Sequence, residues 1–153
     1  MKTATYRHGD RSVYCLALNP GGSPFIRETE FHWLAAYQSI SANFDVTVQV
    51  AKHPSQLMDL SSMVHVSLEV KNEFTTSLWD FVHPEKCVYV TGNTNYHAPA
   101  HVLTPKPEIL RVHVEVPGPK EESEHPHEQC LYGFQVLPIV LMDRIYKNGT
   151  VIY

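Results

Sequence analysis

Apolar residues fall along the chain in runs whose period switches between two and about three and a half, and these switches mark its elements. Residues 13–18 are a continuous apolar run closed by Asn19-Pro20-Gly21-Gly22, the pattern of a buried strand ending in a turn. Ser23 then offers an N-cap and Pro24 a first helical residue, where its missing N–H costs nothing. Phe31, Leu34, Ala35 and Gln38 recur at helical spacing with Trp33, Tyr37 and Ile40 on a neighbouring face, so 24–41 is predicted as helix. Glu28 and Glu30 suit the positive end of that helix. Alternation with a period of two predicts strands over 45–50 and 64–70. Residues 56–60 between them read as a short helical crossover.

Further on, Phe74, Leu78 and Phe81 share one side of a short helix predicted over 73–81 and stopped by His83-Pro84. Strands follow at 87–90 and 110–116, with a poor helix at 100–103 between them. The last helix is predicted to start near Leu137-Pro138, with proline in its first turn, and to end at Asn148-Gly149. Apolar residues 150–153 close the chain as a candidate edge strand. Strand and helix alternate, which predicts an α/β domain with a mainly parallel sheet of five or six strands and helices on both faces. Against this, three of the strands alternate polar with apolar as half-exposed antiparallel strands do, and a ferredoxin-like α+β sandwich is the alternative.

Composition narrows the class. At 153 residues the chain is read as one domain, 1–153, large enough to bury a core. The most apolar run, 136–142, is interrupted by Pro138 and too short to span a bilayer, and the N-terminus lacks the apolar stretch of a signal peptide. Of three widely spaced cysteines (Cys15, Cys87, Cys130), two sit in apolar strand-like runs and read as buried free thiols in a reducing compartment, so a cytoplasmic protein is expected. A net charge of −4 argues against binding nucleic acid over the whole surface, although Lys2, Arg7 and Arg11 cluster and Arg27 stands at a helix start.

Candidate chemistry concentrates between Cys87 and Lys147. Strand, loop, strand, loop, helix builds a site in an α/β domain, because both loops leave the carboxyl ends of strands. Gly92, Gly118 and Gly133 give those loops backbone freedom for a close ligand approach, or serve only as turn residues. Arg27 reads as an exposed helix residue pairing with Glu30 at i,i+3 spacing. Glu69, between apolar neighbours on a strand, reads as solvent-facing, with an acid or base in a cleft as the alternative. Of the ten histidines, His97 with His101, and His125 with His127 and Cys130, have ligand types at metal spacing, but solvated loop histidines are the favoured reading and no metal is assigned. No P-loop, nucleophile elbow, dinucleotide fingerprint or C-x-x-C pair is present.

Four motifs in order resemble one family. Leu16-Ala17-Leu18-Asn19-Pro20 with Ser23 and Phe25-Ile26-Arg27 fall as a strand, a Pro/Gly/Asn turn and a helix opened by arginine. Gly92 to Pro99 has the length and the outer glycine and proline of a Gly-x-Glu-x-x-Gly-Leu-Pro loop. Val114-Glu115-Val116-Pro117 ends a strand in a branched residue and proline, and Cys130-Leu131-Tyr132 stands where a Ser-Leu-Asn runs into the last apolar helix. In order, spacing and length the chain resembles the SPOUT class of RNA methyltransferases, in particular the small single-domain SpoU/TrmH type, whose C-terminal half is tied in a deep trefoil knot.

That resemblance implies S-adenosyl-L-methionine as cofactor, held mainly by backbone groups of three loops, here at Thr91, Gly92, Asn93, Val116, Gly118, Cys130, Leu131 and Gly133. It implies Arg27 on the acceptor side, reaching across a homodimer formed through the first and last helices, with His97 as a candidate proton acceptor. The implied reaction is methylation of a ribose 2′-hydroxyl in tRNA or rRNA. Thr94 replaces the family's glutamate, His97 its second glycine and Tyr132 its asparagine. Those departures motivate two alternatives: an inactive knot-fold homodimer serving as a binding or structural module, and another enzyme using the same cofactor.

Overall fold

The computed structural model describes residues 4–6, 9–18, 28–51, 63–91, 109–117 and 131–149. In chain order they form β1 (Ala4–Tyr6), β2 (Asp10–Leu18), α1 (Glu28–Phe44), β3 (Val46–Ala51), β4 (Val64–Leu68) and β5 (Thr76–Ser77), followed by a 3-10 turn (Leu78–Asp80), β6 (Cys87–Thr91), β7 (Ile109–His113) and α2 (Gly133–Asn148). The expected crossover at 56–60, the weak helix at 100–103 and the closing strand at 150–153 lie outside the described residues.

The protein is α/β with one mixed sheet in the order β1-β3-β2-β6-β4-β7-β5. Only β1 runs antiparallel, to β3, and every other pairing is parallel. The sheet has seven strands, not the five or six expected. The two extra ones, β1 and β5, are three and two residues long at the two edges. Runs that short carry no periodicity to read.

Register sorts the side chains into two faces. Val48, Cys15, Tyr89, Val66 and Leu110 lie abreast across five strands, as do Val50, Ala17, Thr91, Leu68 and Val112. Both described helices cover this face, not one on each side: Tyr37 and Ile40 of α1 and Leu137, Val140 and Leu141 of α2 join one core with Val48, Cys15, Tyr89, Val66, Val50, Ala17, Leu68 and Val112. Gln49, Leu16, Val90, Ser67 and Arg111 occupy the opposite face, where Leu16, Val88 and Val90 are also buried. The apparent conflict in the strand patterns is thereby resolved. Thr47 and Ser67, polar positions of alternating strands, are 5% and 1% exposed, so alternation here records polarity and not exposure.

The turn from α1 into β3 is held by two short side chains. Asp45 adopts φ +55, a left-handed conformation that short polar residues tolerate at a helix end, and its carboxylate accepts from Gly9 N–H at 2.9 Å. Buried Ser41 sits 2.6 Å from Val46 O and 3.2 Å from Tyr6 O, joining α1 to β3 and β1.

Two predicted helix bounds need correction. Residues 73–81 form no α-helix, and only Leu78–Asp80 make a single 3-10 turn. Asn72 accepts from Phe74 N–H at 2.9 Å and donates to Val70 O at 2.9 Å, while its own N–H donates to Thr75 Oγ1 at 3.0 Å. These local bonds give the backbone an alternative to helix, and β-branched Thr75 and Thr76 favour the strand that follows. Leu78 and Phe81 still reach the core, but Phe74 is left 65% exposed.

The second correction concerns α2, which begins at Gly133 and carries Pro138 as its sixth residue rather than in its first turn. Its start is set by Gln135, whose Oε1 accepts from Tyr132 N–H at 2.8 Å, while Tyr132 O accepts from Gln135 and Val136 N–H at 2.9 and 3.0 Å. Gly149 ends it at φ +68, as expected, donating to Ile145 O. Pro138 leaves the Phe134 carbonyl without its helical donor. Pro138→Ala is therefore expected to raise unfolding free energy by about 1 kcal/mol in a urea titration. Among the described residues no helix is long and apolar enough to cross a membrane.

Candidate functional site

The strand order creates one obvious crevice. From β2 the chain passes through α1 to β3 on one side, whereas from β6 it proceeds to β7 on the other. β2 and β6 are neighbours, so their carboxyl ends diverge at a topological switch point, where open α/β sheets bind ligands. Thr91 closes β6 there; it is 4% exposed and abreast of Ala17 and Leu68 on the helix-covered face.

α2 packs on the same sheet face. Its C-terminal half is fastened below the start of β6, with Arg144 Nη1 donating to Pro84 O at 2.5 Å and Nη2 to Glu85 O at 2.8 Å. At its other end α2 packs on the middle of α1. N–H groups of Gly133 and Phe134 have no acceptor within the helix. Tyr132 is half-buried with its ring centroid 5.6 Å from that of Phe134, which meets Tyr37 edge-on at 6.4 Å. β7 also exits at the carboxyl edge of the sheet, presenting Val116 at 48% exposure.

Four of the sequence-derived site residues are described: Thr91 ends β6, Val116 follows β7, Leu131 precedes α2 and Gly133 opens it. Arg27, Gly92, Asn93, His97, Gly118 and Cys130 lie outside the described residues, as do His101, His125 and His127. Among the described residues no group of three or more His, Cys, Asp or Glu side chains is placed to hold a metal.

Beside the crevice, on the opposite sheet face, is a polar ladder that sequence reading missed. Arg111 Nε and Nη2 donate to the two oxygens of Glu69 at 2.8 and 2.6 Å, and Asn72 Nδ2 adds a bond to Glu69 at 3.1 Å. Arg111 also lies 5.0 Å over the Phe74 ring. Glu69 is neither solvent-facing nor a free base, since its side chain is 2% exposed. Burial opposes its charge, but the hydrogen bonds from Arg111 and Asn72 and the nearby guanidinium charge outweigh burial and hold its pKa below the ordinary value. It is a fixed carboxylate.

Next along, His113 Nδ1 lies 2.8 Å from Thr75 Oγ1 and Nε2 2.8 Å from Glu115 Oε1. The order Thr-His-Glu has the form of a nucleophile, base and acid. However, Thr75 Oγ1 also meets Asn72 N–H at 3.0 Å and Asn72 O at 2.9 Å. The Thr75 hydroxyl thus ties His113 to the backbone of the Asn72 turn. The hydroxyl is structural.

A second network locks α2 at the amino edge. Tyr89 O–H donates to His83 Nδ1 at 2.7 Å while accepting from Arg144 Nη1 at 3.1 Å. His83 Nε2–H donates to Asp143 at 2.7 Å, and Lys147 reaches Asp143 at 2.9 Å. Lys147 also donates to the carbonyls of Leu78, Trp79 and Phe81 at 2.5, 3.3 and 3.0 Å. Burial lowers the His83 pKa, and the Asp143 bond only partly opposes this, so the ring is neutral. In the sequence, His83-Pro84 signals only a helix stop.

Cys15 and Cys87 are buried free thiols, as expected, and burial followed by the neighbouring Cys87 raises the Cys15 pKa, so that thiol is inert. Cys130 is outside the described residues. No protein-family model matches the chain, and no curated protein matches it in sequence.

Proposed function

We propose that the chain is a cytoplasmic S-adenosyl-L-methionine-dependent RNA methyltransferase of the SPOUT type, acting on a ribose 2′-hydroxyl of tRNA or rRNA. Its C-terminal part would thread as a trefoil knot. The observation that supports this reading is that β6 and β7 are parallel strands of one sheet, so the segments leaving them, on which two of the ordered motifs fall, start from the same carboxyl edge.

The described residues suit such a ligand. Val116 offers exposed apolar surface, and the N–H groups of Gly133 and Phe134 offer donors for a carboxylate at the positive end of a helix. Cofactor contacts are assigned to Thr91, Gly92 and Asn93 after β6, to Val116 and Gly118 after β7, and to Cys130, Leu131 and Gly133 before α2. Bound there, the cofactor supplies a methyl group already activated on a sulfonium. The protein's part is to orient the acceptor ribose and remove its proton. Arg27, just before α1, is assigned to a substrate phosphate through paired hydrogen bonds, and His97 to the proton. Ile139, Met142 and Tyr146 form an apolar stripe on α2, 41%, 52% and 88% exposed, which suits the homodimer contact.

The expected result is saturable heat when S-adenosyl-L-methionine is titrated into the chain, and 2′-O-methylated nucleosides in RNA digested after incubation. No heat at high micromolar cofactor would overturn the reading. Tyr132, packed on Phe134 at the start of α2, favours a second reading, a knot-fold homodimer without methyl transfer. That reading predicts no heat and an intact dimer.

A further inference from the structure

Alternate residues of β7 and its exit grip the turn that follows β4. Arg111 holds Glu69 by two bonds, His113 meets Thr75, and Glu115 takes His113 Nε2 at 2.8 Å and Lys71 at 3.7 Å. The main chain reinforces them: Glu69 N–H donates to Val112 O at 2.9 Å, and β5 pairs Thr76 with Val112 and Ser77 with His113. The gripped turn is itself internally fixed by the bonds Asn72 makes to Val70, Phe74 and Thr75. The chain is therefore held at every second residue from 111 to 115, and Val116 and Pro117 leave from a clamped base.

Stability alone does not account for such a ladder. An ion pair whose carboxylate is 2% exposed is replaceable by packed apolar side chains at little or no cost in folding free energy. The fork of Arg111 on Glu69 adds fixed geometry instead.

We propose that this ladder is the positioning element of the 114–117 exit, so that Arg111, His113 and Glu115 set cofactor affinity by holding that exit in one conformation. The inference rests on the reading of the exit as one wall of the cofactor cleft. Ordering a loop before binding removes part of the entropy that binding would otherwise lose, so loosening the ladder weakens affinity without removing any contact to the ligand.

Two variants of the full chain test it: Arg111→Lys, which keeps the charge but loses the fork, and Glu69→Leu combined with Arg111→Met, which replaces the pair by apolar side chains. Amide hydrogen exchange over 114–116 is measured without ligand, and S-adenosyl-L-methionine affinity by calorimetry. In both variants exchange over 114–116 is expected to accelerate and affinity to fall about tenfold, as when a supporting residue behind a binding group is lost. The thermal midpoint of the apolar pair should stay unchanged or rise. Unchanged exchange and affinity in both variants, with cofactor binding by the parent chain, overturns the ladder's role alone. No cofactor binding by the parent chain overturns the methyltransferase reading, and the positioning role with it.

Discussion

Arg144→Met is expected to lower the unfolding free energy by about 3 kcal/mol in a urea titration. Methionine keeps much of the stem, so the loss falls on the guanidinium. That group donates to Pro84 O at 2.5 Å, Glu85 O at 2.8 Å and Tyr89 Oη at 3.1 Å, and lies 3.6 Å from Cys87 Sγ. Glu85 is exposed, so water replaces that bond at small cost. The oxygen of Tyr89, a residue with 0% exposure, cannot be rehydrated without opening the core, and Pro84 is only partly exposed. Each polar group left unpaired in such a place costs roughly 1–3 kcal/mol. Lys147→Met provides the contrast: Lys147 is exposed and its carbonyl partners belong to one short turn whose Trp79 is exposed, so about 1 kcal/mol is expected. Equal losses in the two variants would show that the burial of Tyr89 does not matter.

The same distinction between local and distant partners explains what is legible in the sequence. β2, α1, β3, β4, β6 and β7 are legible because each has enough apolar residues to show a period. The Gly149 end of α2 is legible because one residue's backbone freedom decides it. The start of α2 is hidden because Pro138 imitates a first-turn proline, whereas the Gln135 side chain caps the helix at Tyr132. The segment 73–81 imitates a helix because of the apolar spacing of Phe74, Leu78 and Phe81, yet the Asn72 side chain decides the local fold. Thr91, Val116, Leu131 and Gly133 can be placed because they flank strand and helix ends. The ladders cannot. Glu69 and Arg111 are 42 residues apart, and His83 and Asp143 are 60 apart. The first pair depends on β4 lying beside β7 and the second on α2 packing at the start of β6, neither of which a local pattern encodes.

Acid should destabilise the protein through His83, and the dependence should be shallower in His83→Asn. The folded ring faces Tyr89, Asp143, Arg144 and Lys147, with Phe81 edge-on at 5.0 Å. Burial, seconded by the two cations, lowers its pKa despite Asp143. In the unfolded chain a histidine titrates near 6.5. Below about pH 6.5, therefore, the unfolded chain binds a proton that the folded chain refuses, and stability falls with pH by up to about 1.4 kcal/mol per unit for this one group. The contribution is complete above 6.5 and is lost as pH drops toward the lowered folded-state value. Asparagine keeps an acceptor near Nδ1 for Tyr89 but cannot titrate or reach Asp143 as well. His83→Asn should thus be the less stable protein at pH 7, and the gap should narrow between pH 7 and pH 5. That window lies above the range where carboxylates titrate, and the remaining histidines are common to both proteins. Urea midpoints measured across it would show converging curves if His83 is the acid-sensitive link between α2 and β6, and parallel curves if it is not.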